Sequence, residues 1–224
     1  SKEDCLDHGR NFKTKIELAL DTLENIDLQL DKKSYVLADN WYTSADFINT
    51  SQKYGFQVIG GLKSNRIFYP NGRQSKLNEY AKTLTKKDLD VVTVKGRTHY
   101  VYRYEGPIKD LENVVVLISW IDDFDNEKKP FYLVNTDTSL TTKEIIDYYS
   151  YRWEIEVSFR YQKERLGLDN YEMRSLKGIE RFWKLLYLLY DFLELKRFKS
   201  KISKNLGEII DNFKIKRKRR SEEH

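Results

Sequence analysis

The sequence contains one cysteine, Cys5, and only three prolines and three histidines in 224 residues. One cysteine excludes an internal disulfide and a cysteine-based zinc site, which suits a reducing compartment, so we expect a cytoplasmic protein. No apolar run reaches the roughly 18 residues of a conventional membrane span. Hydrophobic residues still make up 40% of the chain, which is enough to bury a sizeable core.

Positive charge is concentrated near the C-terminal end. Between Lys196 and Arg220 there are eleven Lys or Arg and two acidic residues, a net charge of +9, while the rest of the chain carries −4. Such a patch suits a polyphosphate partner, although solvated charged tails are also common. The candidate DNA-binding residues of this tail are Lys216, Arg217, Lys218, Arg219 and Arg220.

Helix and strand patterns alternate in the first third of the chain. The predicted elements are a helix over Thr14–Leu23, a strand over Tyr35–Ala38, a helix over Ser44–Tyr54 and a strand over Phe56–Ile59. Thr14 and Glu17 have the spacing of a capping box. The first strand ends at Asp39, and strand ends are where functional side chains commonly lie. Lys63 and Arg66 follow the second strand and suit either phosphate contact or ordinary loop solvation.

The middle of the chain changes to a strand pattern. Four runs are rich in β-branched and aromatic residues and are separated by turn residues. They are Val91–Val94, Thr98–Tyr104, Val114–Trp120 and Phe131–Val134. We predict an antiparallel β region here. Farther on, we predict a helix over Ile179–Phe198 with its apolar residues in the core, and a short helix over Leu206–Phe213.

The most informative stretch is the helical pattern between Ile145 and Leu166. On a helical wheel, Tyr149, Arg152, Glu156 and Lys163 fall within an arc of roughly 60°. Apolar residues flank this stripe on both sides, and the opposite face is also polar. Charges between apolar walls must be paired or bound to something charged. The residues alone leave two interpretations open, an internal ion-pair stripe or a binding site.

The spacing Tyr149-x2-Arg152-x3-Glu156-x6-Lys163 resembles the Y-R-E-K signature of the DDE transposases of bacterial insertion sequences, of the family-four type. The likeness continues in Trp153 beside Arg152 and in Leu166-Gly167-Leu168 after Lys163. The turn Asp39-Asn40-Trp41-Tyr42-Thr43-Ser44 is similar to the segment that bears the second acidic residue of the family.

The resemblance implies specific roles. Asp39 and Glu156 would be catalytic carboxylates that hold Mg²⁺ or Mn²⁺. Tyr149, Arg152 and Lys163 would bind DNA, joined by Trp41, Lys63 and Arg66. The implied activity is cut-and-paste cleavage and strand transfer at insertion-sequence ends, by metal-dependent phosphodiester hydrolysis and transesterification. The implied partners are the terminal inverted repeats, the target DNA and a second copy in a synaptic complex, with the protein on nucleoid DNA in the cytoplasm.

The implied fold is an α/β ribonuclease-H-like (integrase-like) core with an antiparallel β insertion. The first acidic residue of the family should precede the helix at Thr14, where Asp4 and Asp7 lie in a stretch without strand character. We nominate neither, and expect a chain truncated at its N-terminus. The expected divisions are a loop at 1–11, the second half of the core at 12–88, the insertion at 89–135, the signature and core helices at 136–200, and a basic tail at 201–224.

Two other functions stay open at this point. The chain could be a non-catalytic DNA-binding fragment of a transposase, with its Arg and Lys contacts retained and its metal site incomplete. It could also be a structural domain with a surface ion-pair stripe. Replacing Glu156 separates the three, because only the enzyme should lose cleavage while retaining DNA affinity.

Overall fold

The computed structural model describes residues 11–29, 31–199 and 205–211. The chain divides into two units, Ser1–Arg152 and Trp153–His224. The predicted DNA-binding residues of the basic tail, 216–220, lie outside the described residues. In the part of the chain that is described, no helix has both the length and the apolar character that crossing a membrane requires.

The first unit contains a sheet and helices. Its strands are β1 Ser34–Ala38, β2 Phe56–Gly61, β3 Ile67–Phe68, β4 Ser75–Lys76, β5 Asp90–Val94, β6 Arg97–Ile108, β7 Leu111–Ile121 and β8 Phe131–Asn135. Its α-helices are α1 Lys15–Glu24, α2 Ala45–Lys53, α3 Leu77–Ala81 and α4 Thr142–Ser150, and 3₁₀ turns occupy Pro70–Gly72 and Lys86–Asp88. The strands and helices predicted from periodicity are therefore present, and β3, β4 and α3 lie between the predicted strand Phe56–Ile59 and the antiparallel region.

Local hydrogen bonds explain where these helices begin. The Glu17 amide donates to the Thr14 hydroxyl at 3.2 Å, and the Thr14 amide donates to the Glu17 carboxylate at 2.6 Å. This capping box confirms the predicted start of α1. Thr141 and Glu144 form a second capping box at α4. The Ser44 hydroxyl caps α2.

The described strands form one eight-stranded sheet in the order β1-β2-β8-β7-β6-β3-β4, with β5 paired to β6. Only β1 and β2 are parallel, and the other pairs are antiparallel. The predicted antiparallel region is thus confirmed, and it joins β2 through β8. Mixed α/β architecture of this kind is compatible with a ribonuclease-H-like fold. The expectation that β5 to β8 are an insertion into such a core stays a prediction.

Strand β7 lies at the centre of the core and is buried on both faces. Val116 and Ile118 belong to one apolar cluster, to which α1 and α2 contribute. Val115 and Leu117 belong to the other, to which α4 contributes Ile145. Because successive side chains of a strand point to opposite faces, the sheet has helices on both sides.

The predicted signature helix is divided at Tyr151. α4 ends at Ser150 and α5 runs over Arg152–Glu164. The Tyr151 amide donates to the Tyr148 carbonyl at 3.1 Å, a 3₁₀ spacing, and the Ser150 hydroxyl donates to the Asp147 carbonyl at 2.5 Å.

The second unit consists of helices. It holds α5, α6 at Leu176–Lys199 and a helical segment at 206–211. Leu193 of α6 packs with Leu206, Ile209 and Ile210. Leu186 and Leu193 are buried, as predicted, but Leu185 is 67% exposed. The core prediction for α6 is therefore wrong for three residues that are exposed: Leu185, Leu189 and Phe192.

A buried carboxylate ties β1 to the loop after β8. Asp137, 6% exposed, accepts hydrogen bonds from Lys33 at 2.8 Å, from Tyr35 at 2.6 Å and from the Ser139 hydroxyl at 2.6 Å. Burial disfavours the Asp137 anion, but these donors outweigh it and hold its pKa well below its usual range.

We expect Asp137→Asn to lower the free energy of unfolding at pH 7 by about 2–3 kcal/mol, because it removes the charge from these hydrogen bonds. A depressed carboxyl pKa stabilises the fold above its unfolded value of about 3.9 and loses that contribution as the pH falls toward the folded value. Urea denaturation at pH 7 and pH 3 measures both effects.

The matched control is Tyr35→Phe, which removes one donor and should cost about 1 kcal/mol. The variant Asp137→Asn should be less sensitive to acid than the wild type. If the wild type and Asp137→Asn lost equal stability between pH 7 and pH 3, the depressed pKa of Asp137 would be contradicted.

Candidate functional site

Asp39 directly follows β1, as the sequence predicts, and its side chain is exposed. Its Oδ1 accepts the Trp41 amide at 2.8 Å, and its carbonyl accepts the Tyr42 amide at 3.2 Å. Within the described residues, Oδ2 accepts no hydrogen bond. The turn therefore orients the carboxylate while leaving one oxygen available for a cation. Trp41 is 63% exposed on the same turn.

Two glycines at the end of β2 allow this turn to lie close to the sheet. Ala38 pairs with Gly60 in the parallel ladder. A Cβ on Gly60 would lie 2.3 Å from Thr43 Cγ2 and 3.2 Å from the Ala38 carbonyl oxygen. The Thr43 hydroxyl donates to the Gly61 carbonyl at 2.5 Å. The Gly60-Gly61 pair at a strand end is the sequence signal for this close approach.

Tyr149 reaches the same edge from α4. A Cβ on Gly61 would lie 3.3 Å from the Tyr149 hydroxyl and 3.1 Å from the Asn40 amide nitrogen. The Tyr149 hydroxyl and the Asn40 amide thus both lie close to Gly61 at the end of β2. The Arg152 guanidinium lies 5.6 Å from the centroid of the Tyr149 ring, within cation–π range. The first unit thus brings Asp39, Tyr149 and Arg152 to one region.

The two basic residues after β2 differ in their contacts. Lys63 is exposed. Arg66 is half-buried, and its Nη2 donates to the Lys109 carbonyl at 3.2 Å, next to the turn between β6 and β7. Arg66 therefore has a structural contact, and DNA binding by either residue stays a prediction.

Glu156 and Lys163 lie on one face of α5 in the second unit. With Phe159 and Arg160 they have the i, i+3, i+4, i+7 spacing of one helix face, and all four line a groove of about 640 Å³. The other lining residues are Leu168, Trp183 and Tyr187. We call this cavity the α5–α6 groove. In the sequence, nothing local distinguishes the aromatic residues of this groove on α6, Trp183 and Tyr187, from core residues.

The carboxylates among these residues suit a divalent cation, and the basic side chains suit a phosphate. Carboxylate oxygens such as those of Asp39 and Glu156 are ligands that Mg²⁺ and Mn²⁺ prefer. The described residues contain no group of three or more His, Cys, Asp or Glu side chains placed to hold a metal ion. Asp39 belongs to the first unit and Glu156 to the second.

The profile of the family described as the transposase DDE domain matches residues 13–192. This span is well over half of the 224-residue chain and includes Asp39, Tyr149, Arg152, Glu156 and Lys163. The curated proteins include no match to the chain.

The contacts of Gly60 predict the effect of adding one methyl group to β2 where the Asp39 turn lies against it. We expect Gly60→Ala to lower the free energy of unfolding by about 1–3 kcal/mol, because the new Cβ would overlap Thr43. Urea denaturation provides the measurement.

Gly178→Ala in α6 is the matched control. Its nearest contact would be the flexible Met173 side chain at 3.3 Å, and alanine favours the helix by about 0.5–1 kcal/mol. Wild-type stability in Gly60→Ala would show that the turn does not lie tightly on β2.

Proposed function

Because the chain belongs to the transposase DDE domain family, we propose that it cuts and joins DNA at insertion-sequence ends in a cut-and-paste reaction. The observation that carries the proposal is the position of Asp39, an exposed carboxylate at a strand end with the Tyr149 hydroxyl beside its turn. DNA as the substrate places the proposed activity in the cytoplasm, on nucleoid DNA.

We assign Asp39 and Glu156 as the residues that would hold the divalent cation of the family. Oxygen ligands favour Mg²⁺ or Mn²⁺, and Mg²⁺ commonly takes only one or two carboxylates with water and substrate phosphate. The ion would activate the attacking hydroxyl or water and stabilise the leaving oxygen. The Trp41 amide holds one oxygen of Asp39 and so orients the carboxylate toward this task.

The remaining residues of the Y-R-E-K signature would position the DNA strand. Arg152 and Lys163 supply charges that offset those of phosphates. The Tyr149 hydroxyl lies close to Gly61, as does the Asn40 amide of the Asp39 turn, and it could donate to a phosphate oxygen held there. Lys63 and Trp41 are exposed in segments that follow β2 and β1, and we propose that they extend the contact surface.

A second candidate function is DNA binding without cleavage. The described residues contain no group of three or more His, Cys, Asp or Glu side chains placed to hold a metal ion, which favours an incomplete metal site. This alternative retains the Arg and Lys contacts and predicts no cleavage by the wild-type chain.

We expect Glu156→Gln to reduce cleavage of a plasmid carrying the insertion-sequence ends by roughly 100-fold or more, because even outer-shell partners of a metal ligand contribute about 10- to 100-fold. DNA affinity without metal should be unchanged. The measurements are cleavage in Mg²⁺ or Mn²⁺ and fluorescence anisotropy in chelator.

The matched control is Glu164→Gln, an exposed glutamate at the end of the same helix that does not line the groove. Retained cleavage in Glu156→Gln would refute the proposed role. Loss of stability without a DNA phenotype would favour the structural-domain interpretation. Absence of cleavage by the wild type with tight DNA binding would favour the second candidate.

We also propose that two copies pair through α6. Leu185, Leu188, Phe192 and Leu195 are 67%, 65%, 46% and 50% exposed, with the 3-4-3 spacing of a coiled-coil seam. Asp191 and Lys196 flank the seam at positions that pair between chains in a parallel two-stranded coiled coil. This complementarity favours a second copy as the partner.

Sedimentation velocity over a concentration series should show a dimer for the wild type and a monomer for Leu188→Lys, because a lysine at the seam centre repels its copy. Leu176→Lys is the control, since Leu176 is 65% exposed on the same helix outside the seam. Equal sedimentation of the wild type and Leu188→Lys would refute the seam.

A further inference from the structure

The two-residue turn between β5 and β6, Lys95-Gly96, contacts the junction between α4 and α5. The Lys95 ammonium lies 4.1 Å from the centroid of the Tyr151 ring, which is within cation–π range. Tyr151 is the residue at which the signature helix is interrupted, and Arg152 follows it directly. A hairpin that is distant in the sequence thus contacts the residue next to a proposed DNA contact.

The backbone of this turn indicates that the lysine side chain has a use. Lys95 has a φ of 47° and Gly96 a φ of 78°, as in the two-residue turns that favour Asn or Asp at the first position and Gly at the second. Other L-residues seldom adopt a positive φ, because the Cβ atom is crowded there. Lys95 adopts it nonetheless, and its contact with the Tyr151 ring is one that Gly or Asn could not make.

Local hydrogen bonding restrains Tyr151 less than it would a residue in a continuous helix. There, its amide would donate to the Asp147 carbonyl. Instead the Ser150 hydroxyl donates to that carbonyl, and the Tyr151 amide donates to the Tyr148 carbonyl. The Tyr151 side chain is 52% exposed, so packing also restrains it little. A contact from another element therefore has a large share in fixing this residue.

The β5–β6 hairpin is a firm support for such a contact. Val94, the last residue of β5, is buried in the same apolar cluster as Ile145 and Ile146 of α4. All five residues of β5 are paired with β6. The turn that begins at Lys95 therefore has a fixed place relative to α4, and it can restrain the residue at the C-terminal end of that helix.

We propose that Lys95 is a positioning residue for the proposed reaction. Its cation holds the Tyr151 ring, and the restrained Tyr151 backbone sets the point from which the Arg152 side chain reaches a DNA phosphate. The proposal rests on the proposed function, since it takes Arg152 as a phosphate contact. The Arg152 guanidinium lies 5.6 Å from the centroid of the Tyr149 ring, so a second cation–π contact helps to order the same segment.

The test measures binding of a fluorescein-labelled DNA duplex by the full chain, in chelator and over a salt series. We expect Lys95→Gly and Tyr151→Leu each to weaken binding by about 2- to 5-fold, the range of one exposed cation–π contact. Glycine suits the positive φ of the turn, so the hairpin should stay folded. Tyr151→Leu removes no charge, and a flatter dependence of log K on log[salt] in this variant therefore reports a weakened Arg152 contact.

Three further variants complete the comparison. Lys95→Arg keeps the cation and should retain the wild-type affinity. The double variant with Lys95→Gly and Tyr151→Leu should bind no more weakly than either single variant, because both changes remove the same contact. Lys53→Met removes an exposed lysine in the last turn of α2. It should change the affinity by less than about twofold, because salt screens charges that do not touch the DNA.

The contact itself is measured without DNA. In NMR spectra of the wild type, the ring current of Tyr151 should shift the ε-methylene protons of Lys95 upfield, and Tyr151→Leu should abolish that shift.

Additive losses in the double variant would overturn the proposal. So would a flatter salt dependence in Lys95→Gly but not in Tyr151→Leu, because Lys95 would then contact a phosphate directly. Absence of the upfield shift in the wild type would overturn it as well. Failure of the proposed function is a different outcome, in which the wild type shows the shift but does not bind the duplex.

Discussion

Burial of β7 on both of its faces is the constraint on which the rest of the first unit depends. Its alternate side chains enter two separate apolar clusters, so its neighbours must cover it with helices on both sides. β8 pairs with β7, β2 pairs with β8, and β1 pairs in parallel with β2. The position of Asp39 at the end of β1 is therefore set by a succession of backbone ladders that begins at the most buried strand.

In the first unit, the Asp39 turn packs closely against the end of β2, and α4 lies on the same sheet. Gly60 and Gly61 let the Asp39 turn approach β2 more closely than any side chain would permit. α4 packs on the same sheet through Ile145 and Ile146, which carries Tyr149 to that turn. An exposed carboxylate thus shares this region with a half-buried phenol and a half-buried guanidinium, and polar groups on a rigid frame suit binding of a charged polymer.

In the second unit, α6 presents three different faces. Leu186 and Leu193 are buried, and Leu193 packs with the 206–211 helix. Trp183 and Tyr187 line the α5–α6 groove, and Leu185 and Leu188 are exposed on a third face. A helix that is apolar nearly all round must have more than one partner. This explains why its composition resembles that of a core helix although much of it is exposed.

What the sequence determined by itself is local. Alternation of β-branched residues predicted the strands, Thr14 and Glu17 predicted a helix start, and the spacing from Tyr149 to Lys163 pointed to the family, because these signals depend on neighbours within a few turns or one strand. The interruption of the signature helix at Tyr151, the exposure of Leu185 and the hydrogen bond between Lys33 and Asp137, 104 residues apart, were decided only by the tertiary structure. The sequence shows which apolar side chains would gain free energy by burial. Only the packing of distant segments decides which of them are buried and which stay exposed and line a groove.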